Sequence, residues 1–304
     1  MRKGFFLVFS LGILVVLSLF CLGLGFRTYI QTRKTKFYLN KQRAFYLAVS
    51  GVKIAQQMLE QDMQKDKEAD TYVDHLGEDW SQPIEKEVAF SYPGKTGKIS
   101  VEIEDETSRI NINTMQIKML KKLLTEKEVE NPNNKADYII DYIDANTDTQ
   151  AGEPEVEGRY KNAALSVLSE LLLIEDISVD DYNKIKYFVS VVGDGKVNIN
   201  TVLRETLDFL IECFFTGKTE IVNKLFGQPD GERGYYSALD WQNVMSEEIS
   251  SDPDPVLYIK DIFCINSKYY RITSEGEVDG VKKKIICVLN REAESGKILY
   301  WHEN

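Results

Sequence analysis

Asp144, Asn146, Asp148 and Glu155 lie in the stretch DANTDTQAGEPE at positions 1, 3, 5 and 12 of a calcium-loop spacing. Carboxylate and amide oxygens packed this densely suit a hard divalent cation, which offsets their mutual repulsion. Asp141, Glu153 and Glu157 extend the donor set. The glycine that such a loop places sixth is Thr149 here, so the stretch departs from a calcium hand. Two readings stand: a loop that holds calcium, and an acidic loop in plain solvent.

No catalytic set accompanies these acids, and the chain reads as a non-enzyme. His75 and His302 stand in polar surroundings without triad partners. Cys21, Cys213, Cys264 and Cys287 form no CxxC, which removes zinc-site spacing, and they are too sparse for a disulfide scaffold. The glycines of GDGK at 193–196 lead into a strand pattern rather than a helix, so they make no phosphate loop. Trp80, Trp241 and Trp301 read as packing residues, and Glu102 and Glu104 as a solvated strand face.

The elements that carry the acidic loop are marked by a repeat. Asn-Ile-Asn-Thr occurs at 111–114 and again at 198–201. Ile110 and Ile112, then Val197 and Ile199, alternate as in a short strand with one buried face. Asn and Thr are good helix N-caps, because their side-chain oxygens accept from free N–H groups. Helical spacing follows in Ile117, Leu120, Leu123 and Leu124, and in Val202, Leu207, Leu210 and Ile211. The expected local structure is strand, cap and helix, made twice. A capping box is absent, since Ile117 and Arg204 stand three residues after Thr114 and Thr201.

Strand patterns flank this helical region. EVAFSYPGKTGKISVEIED predicts strands at 87–92 and 98–104. YYRITSEGEVDGVKKKIICVLNRE predicts a hairpin turning at Asp279-Gly280, and GKILYWHE a last strand. The stretches 227–234 and 250–256 are turn-rich.

The N-terminus reads MRKG and is then uncharged from Phe5 to Phe26. As a helix that run spans roughly 33 Å, enough to cross a hydrocarbon core. It is longer than the apolar part of a cleaved signal, and Phe20 before Cys21 does not fit a lipoprotein signal. Beyond it no Gly occurs until Gly51 and no Pro until Pro83. Phe37, Lys41, Ala44, Ala48, Val52, Ala55 and Leu59 mark one face, so the helix is expected to continue as an amphipathic one that packs on its own domain, a shape that can also bundle with other such helices. Residues 1–59 hold nine Lys or Arg and no acid; the remainder carries 28 basic and 48 acidic residues, a net charge of −20. A body that acidic repels nucleic acid, whose binding needs Lys and Arg against phosphate. Arg27, Arg33, Lys34, Lys36, Lys41 and Arg43 follow the apolar run against Arg2 and Lys3 before it, a bias that by the positive-inside rule would keep the far side in the cytoplasm.

MRKG followed by Phe5 and an unbroken apolar helix resembles the leader of type IV pilins and type II secretion pseudopilins. The stretches SRININT, YIIDYIDANTDTQAGEPE, YKNAALSVLSELLLIEDIS and YFVSVVGDGKVNINT, with the closing YYRITSEGEVDGVKKKIICVLNRE, resemble the K-type minor pseudopilins of the general secretion pathway. Tyr142 stands where that family has tryptophan, and Ala164 where it has proline. Phe9 stands where most pilins have glutamate, and K-type members lack that glutamate too.

The resemblance implies an α+β fold: a membrane helix continuing into a long pilin-like helix, and an antiparallel pilin-like sheet with a large, mostly α-helical insertion between strands. The expected divisions are a leader at 1–4, a membrane helix at 5–26, the pilin helix at 27–66, the first part of the head at 67–104, the insertion at 105–255 and closing strands at 256–304. It further implies cleavage by a prepilin peptidase between Gly4 and Phe5, with methylation of the new N-terminus. Calcium is expected on the set Asp141, Asp144, Asn146, Asp148, Glu153 and Glu155. The implied place is the inner membrane, with the bulk of the chain in the periplasm. The implied role is a structural subunit at the tip of a secretion pseudopilus, its helix face from Phe37 to Leu59 bundling with other minor pseudopilins. The alternative is a membrane-anchored minor pilin for adhesion or DNA uptake.

Overall fold

The computed structural model of the chain describes residues 2–70, 72–90, 96–150, 156, 158–215, 220–226, 261–292 and 296–304. Helix α1 is unbroken from Arg2–Ala69, as a run without Pro allows; its glycines, Gly4, Gly12, Gly23, Gly25 and Gly51, do not interrupt it. Its apolar half is long and apolar enough to cross a membrane. Side chains from Gly4 to Leu39 are exposed, and burial starts at Asn40. Ala44, Leu47, Ala48, Val52, Ala55 and Leu59 are then buried at the spacing of one helix face.

That face packs on a five-stranded antiparallel sheet of order β1-β2-β7-β8-β9. Its strands are β1 (Ile84–Ala89), β2 (Thr96–Asp105), β7 (Tyr269–Val278), β8 (Val281–Asn290) and β9 (Lys297–Glu303). Alternate residues Ile99, Val101 and Ile103 of β2, Ile272 of β7 and Ile285 and Cys287 of β8 meet α1 in one core, with Trp80 beside them. Of the two expectations for the face from Phe37 to Leu59, packing on the chain's own domain holds, and bundling with other chains is corrected. From Ala44 onward it is spent on the chain's own sheet, and Phe37 alone of its large apolar members stays exposed. The first strand also differs. It starts at Ile84 rather than 87, because the ladder opens directly after Pro83, which has no N–H to give.

Helix and sheet approach closely where side chains are smallest. A Cβ on Gly276 would lie 2.0 Å from the Ala44 carbonyl oxygen, and one on Gly51 would lie 2.1 Å from Ser274 Oγ. Ser274 Oγ donates to the Ala48 carbonyl across the same gap at 2.7 Å. The β7–β8 hairpin turns at Asp279-Gly280 as its sequence predicts, with φ of 51° and 76°.

Between β2 and β7 lies the insertion. Its described elements are β3 (Ile110–Asn111), α2 (Ile117–Glu126), α3 (Pro132–Ile143), α4 (Val179–Ile185), β4 (Val189–Ser190), β5 (Val197–Asn198), α5 (Arg204–Phe214), α6 (Glu220–Phe226) and β6 (Phe263–Cys264). They enclose a second core that includes Ile112, Leu120, Leu123, Ile139, Leu171, Ile199 and Leu210. Parallel bridges of two residues close it, β3 on β4 and β5 on β6. The turn-rich stretches 227–234 and 250–256, and Trp241, lie outside the described residues.

The two ends of the head differ. At the end nearer the apolar segment, Asn40 Nδ2 donates to Asp279 Oδ2 at the hairpin tip, at 3.1 Å. At the other end β2 stops, β7 starts and Asp62 of α1 meets Arg291. The insertion leaves and rejoins the sheet there, at the end of the head farthest from the apolar segment.

Candidate functional site

The acidic loop starts where α3 stops. Pro132 opens that helix after Asn131, whose φ of 53° turns the chain into it. Ala136 and Ile139 bury one side, and Asp141 is buried as well. Asp144 is the residue after the last helical one, and its N–H donates to the Ile140 carbonyl at 2.9 Å. Asn146 Nδ2 donates to Asp144 Oδ2 at 2.7 Å, and Asp148 N donates to Asn146 Oδ1 at 2.8 Å. Asp141 Oδ1 accepts from Gln150 N at 2.9 Å, which folds the loop back over the helix end. The chain returns where Asn162 N donates to the Tyr142 carbonyl at 3.0 Å. Lys161 anchors the return on Glu170 at 2.6 Å.

Asp144, Asn146 and Asp148 thus share one short loop beside Asp141 of the last turn of α3, but the three carboxylates do not converge as a cluster; Glu153, Glu155 and Glu157 lie outside the described residues. Burial raises the Asp141 pKa, and the neighbouring carboxylates of Asp144 and Asp137 raise it further. The oxygen donors and this like-charge strain both fit a hard divalent cation.

Of the two Asn-Ile-Asn-Thr stretches the first supplies a cap, Asn111 on the single 3-10 turn Ile112–Thr114, and neither caps the α-helix that follows it. α2 starts after Gln116 and α5 after Leu203, neither with a side-chain cap. The asparagines instead fold the backbone on itself and then reach across the chain. Asn111 Oδ1 accepts from Asn113 N at 3.0 Å while its Nδ2 donates to the Gly193 carbonyl at 2.8 Å. Asn113 Nδ2 donates to the carbonyls of Leu165 and Val191, both at 3.0 Å, and its Oδ1 accepts from Leu165 N at 2.7 Å. In the second copy Asn198 Oδ1 accepts from Asn200 N at 2.9 Å, and Nδ2 donates to the Asp74 carbonyl at 3.1 Å and Ser267 Oγ at 2.7 Å. An amide side chain offers donors and an acceptor together, so each can satisfy buried backbone where no ladder runs.

Asn198 leads into a buried polar junction between the two cores, which sequence spacing did not reveal. Asp74 is fully buried. It accepts from Ser267 N at 2.6 Å, from Tyr270 Oη at 2.7 Å and from Arg291 Nη2 at 2.8 Å. Arg291 also pairs with Asp62 at 3.1 Å and stacks over the Tyr270 ring. Asp105, the last residue of β2, accepts from Thr107 N at 2.7 Å and from Thr201 Oγ1 and Ser267 Oγ at 2.5 Å each. Glu78 joins from the loop before β1, accepting from Trp80 Nε1 at 2.6 Å and His75 N at 3.0 Å. Among the described residues, Asp62, Asp74 and Glu78 are the acids whose oxygens converge closely enough for a metal. The Arg291 guanidinium already supplies the positive charge there. The partners of Asp74 and Arg291 come from segments far apart in the chain, so no local pattern announces them.

This junction makes stability depend on pH. Burial lifts Asp62 and Asp105 to about 6 and Glu78 to about 7. A carboxyl raised in the folded state binds protons there that the unfolded chain has already released. Its contribution is full below the unfolded pKa and is lost as pH rises through the folded one. His75, lowered by burial, works in the opposite direction. With three acids against one imidazole, the melting temperature of the full chain in mild detergent is expected to be higher at pH 5 than at pH 8. Glu78→Gln keeps an acceptor for Trp80 and His75 and should flatten that profile in circular dichroism melts.

Gly4 and Phe5 both lie exposed in α1, with Phe5 stacked on Phe9. The four cysteines are free, and burial pushes the Cys264 and Cys287 thiols up to about 12, which leaves them unreactive.

No family model matches the chain. It is 24% identical to "Type II secretion system protein K" of Pseudomonas aeruginosa strain PAO1, over 98% of this chain and 91% of that protein. Its fold matches a chain in the crystal structure of the GspK-GspI-GspJ complex from the type 2 secretion system of enterotoxigenic Escherichia coli. That match has a TM-score of 0.64 at 17% identity and covers 90% of this chain and 99% of the other. The resemblance carried by the repeated asparagine motifs thus extends over nearly the whole molecule, which is similar in sequence to type II secretion system protein K and in fold to a chain of the GspK-GspI-GspJ complex.

Proposed function

We propose that this chain is a structural minor pseudopilin of a type II secretion system, seated at the tip of the pseudopilus and starting its assembly with other minor pseudopilins for protein export across the outer membrane. The observation that carries the tip position is where the insertion attaches. It extends the head at the end farthest from the apolar segment, where a subunit stacked above would otherwise pack. In a helical fibre only the first subunit has that side free. Phe9 supports the same reading. The glutamate found there in most pilins would be an unpaired charge in lipid for a subunit with no predecessor, and an apolar residue avoids that cost. The partner surface is narrower than the sequence alone implied. With the Ala44–Leu59 face covered, the outward side of α1 beyond Asn40, including Tyr46, Lys53, Gln57 and Glu60, remains for neighbouring helices together with the exposed stretch before it.

The experiment is expression of the full chain with its prepilin peptidase and the other minor pseudopilins. Mass spectrometry should find Phe5 as a methylated N-terminus, and the other minor pseudopilins should co-purify with this chain from membranes. Labels on this chain should mark fibre ends. An intact Met1, a start near Phe26, or label spread along the fibre would reject the proposal and favour a free-standing membrane-anchored binding protein.

The acidic loop is proposed as a calcium site. Asp144, Asn146 and Asp148, with Asp141 and the carboxylates of Glu153 and Glu155, would hold the ion, which would neutralise the loop and tie it to the end of α3. Ligand that binds only the folded state adds about 2.7 kcal/mol at a hundredfold excess over Kd. Chelator should therefore lower the melting temperature, and Asp144→Ala with Asp148→Ala should abolish that response. Identical melting with calcium and with chelator would remove the site.

A further inference from the structure

We propose that the first turns of α1 beyond its apolar segment form a basic collar that binds the headgroups of anionic phospholipids around the upright helix. Between Phe26 and Asn40, the first buried residue of the head, stand Arg27, Arg33, Lys34 and Lys36, all exposed; no acid precedes Glu60. Arg33 lies over the Tyr29 ring, and Lys36 is 3.9 Å from the partly buried side chain of Asp279 with its own side chain largely in solvent. Neither contact withdraws its cation from the surface.

Position decides the occupant. At about 1.5 Å per residue, these four side chains leave the helix within roughly 15 Å of Phe26. Side chains on an α-helix slope toward its N-terminus. In this helix the N-terminus is the apolar segment, so Arg33, Lys34 and Lys36 reach back toward the bilayer edge, as long basic side chains do at membrane interfaces. Tyr29 sits at the depth where amphipathic rings collect. The cations also do not share a face. Arg27 and Lys34 lie on one side, two turns apart, while Arg33 and Lys36 point elsewhere. A helix lying flat on a membrane gathers its cations along one face; a ring suits headgroups surrounding an upright one. The acidic body beyond residue 59 is repelled by the same surface, so collar and head together hold the head off the bilayer. The inference needs only that α1 is anchored in a membrane, and it is independent of the assembly the chain joins.

The test uses the full chain in nanodiscs of mixed phosphatidylglycerol and phosphatidylcholine, released into mild detergent, with retained lipids counted by native mass spectrometry. Phosphatidylglycerol should be retained about fivefold or more above its share of the disc, the factor expected for even one cation at the surface. Arg27→Gln with Arg33→Gln, Lys34→Gln and Lys36→Gln should return retention to the disc ratio. Removing charge from the head by Lys67→Gln, Lys118→Gln and Lys297→Gln should leave the enrichment in place. Wild-type retention at the disc ratio, or undiminished enrichment in the collar variant, overturns the proposal. Should the collar variant fail to insert, salt decides on the wild-type chain. Headgroup attraction is screened, so enrichment lost at high salt supports the collar and enrichment that survives overturns it.

Discussion

Arg291→Met is expected to destabilise the protein by about 3–5 kcal/mol, the usual cost of leaving a buried charge without its partner. Arg291 is the cation between Asp62 on α1 and Asp74 in the loop that leads to the sheet. Its Nη2 also donates to the Ser267 carbonyl at 3.0 Å, just ahead of β7. Removal leaves Asp74 fully buried, with hydrogen bonds from Tyr270 and Ser267 but no opposite charge. Adding Asp74→Asn to Arg291→Met should recover part of the loss, because the orphaned charge goes with it. Arg291→Lys should stay well below wild type, since an ammonium cannot reach two carboxylates and a carbonyl with the same fork. Thermal and denaturant melts of the full chain in mild detergent measure all three. A single variant within about 0.5 kcal/mol of wild type, the range of surface substitutions, would show that the junction does not bear on stability.

Gly276→Leu should be comparably severe, by packing rather than charge. The new Cβ would stand 2.0 Å from the Ala44 carbonyl and 2.8 Å from Ala48 N, both backbone atoms of α1 that no rotamer change can move. The helix must lift from β7, opening the contacts of Ala44, Leu47 and Ala48. Overpacking costs typically about 1–3 kcal/mol, and a backbone obstacle places this case at or above the top of that range. The insertion, with its own core, should keep its helices. Hydrogen exchange is the discriminating measurement: protection should fall in α1 beyond Asn40 and in β7, and persist in α2 and α3. Uniform loss across both cores would mean that the insertion depends on the docked helix.

Elements governed by local physics were legible from residues alone. An uncharged run from Phe5 to Phe26 and a following stretch without proline determine an unbroken α1, because helix formation depends on neighbours three and four apart. Asp279-Gly280 determines its turn, since both residues tolerate positive φ. The density of Asp and Asn after α3 marks the acidic loop, because its donors are sequential. Where a choice was non-local, the residue types misled. Asn and Thr before a helix are cap types, yet Asn111 caps only the 3-10 turn Ile112–Thr114, its amide group and those of Asn113 and Asn198 serve distant carbonyls, and Thr201 serves Asp105. Only the folded chain presents those partners.

The sequence by itself determined a membrane-length apolar helix, an acidic body, a twice-made asparagine motif and the strands on either side of a helical insertion, all properties of composition and short period. Tertiary structure decided which face of α1 is spent on the sheet, because Gly51, Gly276 and Ser274 permit close approach only when β7 lies beneath. It also decided that Asp62, Asp74, Asp105 and Arg291 meet. A buried charge is tolerated only beside its counter-charge, and that proximity is made by antiparallel pairing of strands distant in the chain, which no spacing along it records.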